Sequence, residues 1–371
     1  MLFIKDINKI LRQNIREWGM YIALLVIMAF FTITTKGVFI SSRNIGNLIN
    51  QTGYIAVLAV GMTLVIIIRH IDLSVGYLSG FLGAIAATAM VSWHLSVYAS
   101  IPLTVALGIL AGIFTGFLVA QMKIPAFVAT LAGWLGYRGA LQLTTMRKGT
   151  IVIPNATFNA IGNGYIPDIP DIGILPGVHK LTFILGILVI LFFIINAMNN
   201  RRKMRAYNFK VLPIHLFIIK LVFVSALIGG ITWVLAGYKG LSWTAVVVLI
   251  VVLVYNFIMS RTVLGRHIYA VGGNPEGAEL SGISVKKITY VVFGSIVMLA
   301  GLSVIMFASR LQYATTTTGT LFELDAIAAA FVSSASATGG VVKVAGSIIG
   351  AFFMISLTNV MNLMGIDTSY Q

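Results

Sequence analysis

The sequence contains no cysteine and only ten acidic residues in 371. Without cysteine there is no disulfide framework, no thiolate metal site and no cysteine nucleophile. Charge of either sign is scarce: 9% of the residues are Asp, Glu, Lys or Arg, against about 25% in a soluble domain. A surface so poor in charge does not stay solvated in water, so lipid is the main solvent. Catalytic signatures are missing as well. No G-x-x-x-x-G-K-[ST] loop occurs, which excludes ATP hydrolysis by that route. His70, His94, His179, His215 and His267 are scattered and form no H-E-x-x-H metal pair. Gly136 to Gly139 and Gly272-Gly273 lack the strand-turn-helix context of a dinucleotide fingerprint. A membrane enzyme would need a convergent catalytic set, and none is found.

What the sequence has in abundance is apolar length. Hydrophobic residues make up 58% of the chain, and the mean hydropathy is +0.99. At about 20 apolar residues per crossing, that leaves room for roughly ten spans. Apolar runs read as helices at Gly19–Thr35, Tyr54–Ile68, Ser74–Trp93, Val97–Met122 and Ala126–Leu143. Five more follow at His179–Asn196, Ile214–Ala236, Leu241–Met259, Ile288–Ala308 and Val344–Met364. Only helices or closed barrels satisfy their backbone groups in hydrocarbon, and these runs are too long for barrel strands. The fold class is therefore an all-α polytopic membrane protein of roughly ten transmembrane helices. Tyr54–Ile68 and the weaker Leu324–Ala337 are short for a full crossing and read as broken or re-entrant elements.

The formal net charge of +15 is a topology signal, because the basic residues sit between apolar runs. With the N-terminus inside, the cytoplasmic set holds Lys5, Lys9, Arg12, Arg16, the run Arg201 to Lys210, and Arg261, Arg266, Lys286 and Lys287. The outer set is sparse: Lys36, Arg43, Arg147, Lys148 and Lys239. Nucleic acid is not an expected partner. Residues 1–18 read as a cytoplasmic amphipathic segment and 19–371 as a single transmembrane domain. Thr144–Val178 reads as an external loop, and 260–287 as the longest cytoplasmic segment after the N-terminus.

Four motifs stand out. Gly108, Gly112 and Gly116, and again Gly346 and Gly350, form small-xxx-small stripes, whose ordinary meaning is close helix packing. Arg69-His70-Ile71-Asp72-Leu73-Ser74 puts ionisable groups between two apolar runs. Arg69 and Asp72 are placed to pair, and Asp72 or Ser74 to cap the following helix. That turn is either a capped interfacial turn or a point of substrate contact. Pro125 breaks one helix and pre-forms the first turn of the next, as in a simple hairpin or a helix that starts inside the membrane. The fourth motif is the segment Gly265–Ile283. Asn274 is placed to cap a short helix that begins at Pro275 and carries Glu276 and Glu279, with Ser281-Gly282 ending it.

With these residues the chain resembles bacterial ABC-transporter permeases of the ribose, xylose and branched-chain amino acid type. It most closely resembles the multiple-monosaccharide permease subunit of the xylose, arabinose and galactose type. The resemblance rests on Ser42-Arg43-Asn44-Ile45, Ala59-Val60-Gly61-Met62, Ile71 to Gly76, Ile124-Pro125-Ala126-Phe127, Gly272–Ile283 and Leu324 to Ala329, in the right order along nearly the whole chain. It implies a type II, vitamin B12-importer-like permease fold. Implied partners are a second copy of the permease, two ATP-binding cassettes on the cytoplasmic face, an extracytoplasmic sugar-binding protein, and membrane lipid. No cofactor belongs to this chain, and ATP and Mg belong to the cassettes. Gly273, Asn274, Pro275, Glu276, Ala278, Glu279, Ser281 and Gly282 become the ATPase-coupling residues. Asp72, Ser74, Phe127, Thr130 and Asp325 become candidates for the translocation path.

Three departures from the family pattern are visible. Ser333-Ser334 and Val342 stand where glycines are usual. Gly277 replaces the usual alanine in the coupling segment, which weakens that helix by about 1 kcal/mol. Relatives continue beyond the position of Gln371 into one more apolar span, so the final helix of the family is expected to be missing. A branched-chain amino acid permease is the rival within the family. An ion-coupled secondary transporter is the rival outside it, and would need ionisable groups deep in the bundle.

Overall fold

The computed structural model describes residues 24–170, 173, 176–209, 211, 213–335 and 344–366, the side chains of 333–335 excepted. The amphipathic segment 1–18, Val342 and the side chains of Ser333 and Ser334 lie outside the described residues. In chain order the elements are α1 (Leu24–Thr34), α2 (Ser42–Ile67), α3 (Val75–Val91), α4 (Val97–Ala120), α5 (Ala126–Thr145), β1 (Thr150–Val152), α6 (Ala156–Asn163) and α7 (Lys180–Ala206). Then come α8 (Ile214–Ala236), α9 (Trp243–Arg261), α10 (Val263–Gly273), α11 (Pro275–Leu280), α12 (Val285–Leu311), β2 (Tyr313–Thr315), α13 (Phe322–Ala335) and α14 (Val344–Leu363).

Seven helices among the described residues are long and apolar enough to cross a membrane: α2, α4, α7, α8, α9, α12 and α14. Of the remaining apolar runs, α3 stops at 17 residues. α5 has the length, at 20 residues, but carries Trp134, Tyr137, Arg138 and Gln142. One expectation is corrected outright. Tyr54–Ile68 is not a short or broken element but the second half of a continuous 26-residue helix, α2. Its first turns hold Asn44, Asn47, Asn50, Gln51 and Thr52, which lower the local hydropathy without breaking the helix. Two of those polar groups, Gln51 and Thr52, bond within the protein. Thr52 Oγ1 donates to the Leu48 carbonyl at 2.8 Å, and Asn359 Nδ2 donates to Gln51 Oε1 at 3.3 Å.

The chain divides into two compact units. The larger comprises Met1–Phe39, Leu48–Gly164 and Trp243–Gln371, and its inner helix is α12. Val292, Phe293, Ile296, Val297, Ala300 and Val304 of α12 are wholly buried. α4 runs antiparallel along α12 and meets it with the glycine stripe. A Cβ on Gly108 would sit 2.9 Å from the Val297 carbonyl oxygen, and one on Gly112 would sit 2.5 Å from that of Phe293. A Cβ on Gly116 would sit 3.1 Å from the Tyr290 ring. In lipid, helix association gains little from dehydration, so close backbone approach carries it. Gly350 plays the same part between α14 and α13, where a Cβ would lie 2.1 Å from the Ala329 carbonyl oxygen.

The connection that follows α5 in this unit is structured. β1 and β2 pair antiparallel, with Ile151 opposite Ala314, a short addition to an otherwise helical chain. Ile151, Ile153, Phe158 and Ala314 pack on Ile305 and Ala308 near the end of α12. Asn163 Nδ2 donates to the Ser309 and Arg310 carbonyls at 3.0 and 2.9 Å, which satisfies acceptors that the helix end would otherwise leave open.

The smaller unit comprises Ile40–Asn47 and Tyr165–Ser242. In it α7 and α8 pack closely, and a Cβ on Gly186 would meet Thr232 Cγ2 at 2.2 Å. Leu188, Phe192, Val222 and Phe223 are exposed, a face for which hydrocarbon is the matching solvent. α7 continues past Asn196, where its apolar run ends, through the basic run to Ala206. The Arg201 guanidinium lies 4.6 Å from the centre of the Phe217 ring. Before α7, Asp168 accepts backbone hydrogen bonds from Leu181 (2.9 Å), Lys180 (3.1 Å) and Ile169 (2.9 Å). Its Oδ1 is also 3.4 Å from His179 Nδ1. Desolvation pushes the Asp168 carboxyl up, but these donors and His179 outweigh it and hold it below the usual carboxylate range.

Candidate functional site

The α2–α3 turn is the centre of the polar residues inside the larger unit. α2 ends at Ile67, and Arg69 turns the chain with a left-handed φ of +65°. Asp72 is wholly buried. Its Oδ1 accepts from the Ser74 backbone N–H at 2.9 Å and from Ser74 Oγ at 2.6 Å. Ser74 stands at the N-cap of α3, but its hydroxyl makes no cap bond. It is spent on Asp72, which closes an Asx turn. Asp72 Oδ2 has no hydrogen-bond partner. The expected Arg69–Asp72 pair does not form, because Arg69 reaches away from the turn to the carbonyls of Gly272 and Gly273.

α5 closes over the same turn. Thr130, 1% exposed, donates to the Ile71 carbonyl at 3.4 Å, and a Cβ on Gly133 would lie 3.0 Å from Ser74 Cβ. Phe127, one turn earlier, is not part of this buried group, since its ring is 56% exposed. α13 brings Glu323, a residue that the sequence reading passed over in favour of Asp325. Phe322 anchors the start of α13 between Tyr54 and Phe307, with ring centres 4.9 Å apart in both pairs. Glu323 is 5% exposed, and its Oε1 accepts from Trp134 Nε1 at 3.0 Å. Its Oε2 has no partner and lies where a Cβ on Gly76 would be, 1.7 Å away. Only glycine at the first turn of α3 leaves room for that carboxylate. The signal for Glu323 was available: two acids two residues apart in an apolar stretch.

Glu323 lies within electrostatic reach of both Asp72 and Asp325. Among the described residues no Lys or Arg forms an ion pair with any of the three. The Arg138 guanidinium stacks instead on aromatic rings, 5.6 Å from the centre of Trp134 and 5.8 Å from that of Tyr77. Buried carboxylates without counter-ions are costly, and in a membrane they mark function by default. Among the described residues no group of His, Cys, Asp and Glu is arranged to hold a metal ion.

The second candidate site is the α10–α11 segment. The short helix read from the sequence at Pro275 is present as α11, and a second helix, α10, precedes it. Thr262 caps α10 by accepting from the Gly265 N–H at 3.3 Å, and α10 ends at Gly273. Asn274 then caps α11, its Oδ1 accepting from the Gly277 N–H at 3.1 Å, with Pro275 in the first turn. Ser281 ends α11, and Gly282 follows with φ +82°, the left-handed exit that glycine takes without strain. Glu276, Glu279 and Leu280 are exposed, while Ala278 is buried beneath them. The result is a short rigid helix, fixed at both ends, with one side open.

Residues 44–371 match the family described as branched-chain amino acid transport system, permease component. The chain belongs to this family. Among its relatives is the xylose transport system permease protein XylH of Haemophilus influenzae, 37% identical over 98% of this chain and 94% of the relative. XylH of Escherichia coli K12 is 38% identical over 96% of this chain and 88% of the relative. The ribose import permease protein RbsC of Haemophilus influenzae is 33% identical over 96% of this chain and 88% of the relative. No solved structure matches. The chain is thus a multi-pass membrane permease component of a transport system, and its buried polar cluster and its exposed capped helix are features of a transport protein.

Proposed function

We propose that this chain is the permease subunit of an ATP-driven importer for monosaccharides, pentoses first among them. The observation that carries the reading is the likeness to xylose permeases over nearly the whole of both chains. In this reading the chain adopts the type II permease fold with about ten spans, its N-terminus is cytoplasmic, and two copies form the pathway. The segment Gly273, Asn274, Pro275, Glu276, Ala278, Glu279, Ser281 and Gly282 docks on a cassette ATPase that holds ATP and Mg. A binding protein delivers sugar from the other side. The capped geometry of α11 supports the docking role, because a helix fixed at both ends passes on force instead of fraying.

Asp72, Ser74, Thr130 and Asp325 are assigned to the translocation path, with Glu323 added, and the exposed Phe127 stands at the edge of that set. Unpartnered carboxylate oxygens accept hydrogen bonds from sugar hydroxyls without a metal or a covalent step. Transport follows from alternating access. Cassettes that bind ATP favour one permease state and release it on hydrolysis, so the equilibrium between the states is driven by differential affinity.

The test is uptake by proteoliposomes that contain the chain, its cassette ATPase and the binding protein. Labelled D-xylose or D-ribose should enter only with internal-face ATP. Branched-chain amino acid transport is the second reading, favoured by the description of the family. Uptake of labelled leucine without pentose uptake would establish it. Uphill uptake by the chain alone, driven by an ion gradient, would reject both.

A further inference from the structure

Arg69 occupies a backbone conformation that costs an L residue energy, φ +65° at the end of a long helix. Its side chain accounts for the position. Nε donates to the Gly272 carbonyl at 2.7 Å, and Nη2 donates to the Gly273 carbonyl. These are the last carbonyls of α10, the negative end of that helix, which otherwise lack intrahelical partners. The backbones also touch: a Cβ on Gly272 would lie 2.1 Å from the Ile67 carbonyl oxygen. The last turn of α2 and the last turn of α10 are therefore joined by direct packing and by a forked charge-assisted clamp.

On one side of the clamp, Gly273 is followed at once by Asn274, the cap of α11. On the other, Arg69 opens the turn that leads to Asp72. Within that turn Ile71 accepts from Thr130 of α5, Asp72 holds Ser74 at the start of α3, and Gly76 abuts Glu323 of α13. A displacement of α10–α11 that the clamp follows reaches α3, α5 and α13 through one short turn.

We propose that Arg69 is a positioning residue for energy coupling, the clamp through which α10–α11 moves the α2–α3 turn and with it the buried carboxylates. The proposal rests on the reading that α11 docks an ATPase. Its role is distinct from docking: without the clamp the cassette still binds α11 and turns over ATP, but the stroke no longer reaches the path.

The test has two arms. The chain has no native cysteine, so spin labels at Ile71→Cys and Leu280→Cys, both exposed positions, report the distance across the clamp in the full chain in nanodiscs, with no partner needed. A narrow distribution is expected with Arg69 and a broad one with Arg69→Gln, which keeps much of the stem and one donor group and so is the variant least disturbing to folding. An equally narrow distribution in Arg69→Gln overturns the proposal. The second arm uses the assembled transporter, with Arg69→Ala and Arg69→Gln compared for D-xylose uptake per ATP hydrolysed. That ratio should fall about tenfold or more, the factor carried by one charge-assisted hydrogen bond, while the cassette co-purifies as with wild type. An unchanged ratio, or loss of the cassette along with uptake, overturns the transmission role. A wild-type chain that retains no cassette defeats the docking reading instead, and the label distances then decide the clamp alone.

Discussion

Gly112→Ala isolates the packing on which the larger unit depends. The added Cβ would lie 2.5 Å from the Phe293 carbonyl oxygen and 2.9 Å from Gly294 Cα. Both are backbone atoms, so no rotamer change relieves the overlap. The α4–α12 pair must part by roughly 0.9 Å, the difference between 2.5 Å and the 3.4 Å at which ordinary contact begins. A gap of about 0.5–1 Å forfeits a quarter to a half of each contact's attraction. The loss extends along the seam to Gly108 and Gly116, which approach Val297 and Tyr290 closely. Overpacking of this kind costs about 1–3 kcal/mol, and the higher helix propensity of alanine offsets about 1 kcal/mol. Because both overlaps are with backbone atoms, the overpacking cost lies in the upper part of that range, about 2–3 kcal/mol. That leaves a net loss of about 1–2 kcal/mol and a fall in melting temperature of about 2–5 °C. The control is Gly294→Ala on the facing helix, where a Cβ meets nothing within 4 Å. Melting followed by size-exclusion fluorescence in mild detergent compares the two. If Gly112→Ala melts at or above wild type, or Gly294→Ala falls as far, the close-approach reasoning is wrong.

Other residues give equally direct expectations. Trp134→Phe removes the indole donor to Glu323 and should cost about 1–3 kcal/mol for a buried acceptor left open; Glu323→Gln in the same background should recover part of it in melting experiments. Asn274→Ala removes the cap of α11, at a cost of about 1 kcal/mol to that helix, and should speed hydrogen exchange at Gly277 while leaving α12 unchanged. Asp168 has a folded pKa below its ordinary 3.8. The stabilisation it gives is therefore complete above the unfolded value and lost as pH falls through the lower folded one. Melting curves below about pH 5 should lose stability in wild type and lose less in Asp168→Asn, whose side chain does not titrate over that range; parallel curves would show that the carboxylate contributes nothing there.

The sequence alone determined the solvent, the class and the family of this protein. Scarce charge and long apolar runs leave only membrane helices, because hydrocarbon offers no partner to a bare backbone. Local chemistry also fixed the cap at Asn274, the proline start and the glycine exit of α11, since these depend on neighbours within a few residues. The extent of α2 was not legible, because hydropathy cannot distinguish polar residues that meet water from those, such as Gln51, that meet a partner on a distant helix. Nor was the partner of Arg69. Asp72 is three residues away and of opposite charge, yet the fold brings Gly272 and Gly273 from some two hundred positions along the chain into hydrogen-bond reach. The joining of Glu323 to Trp134 is likewise a tertiary fact. Periodicity and composition specify what each segment becomes; which buried groups face each other is decided only when the glycine seams let the helices close.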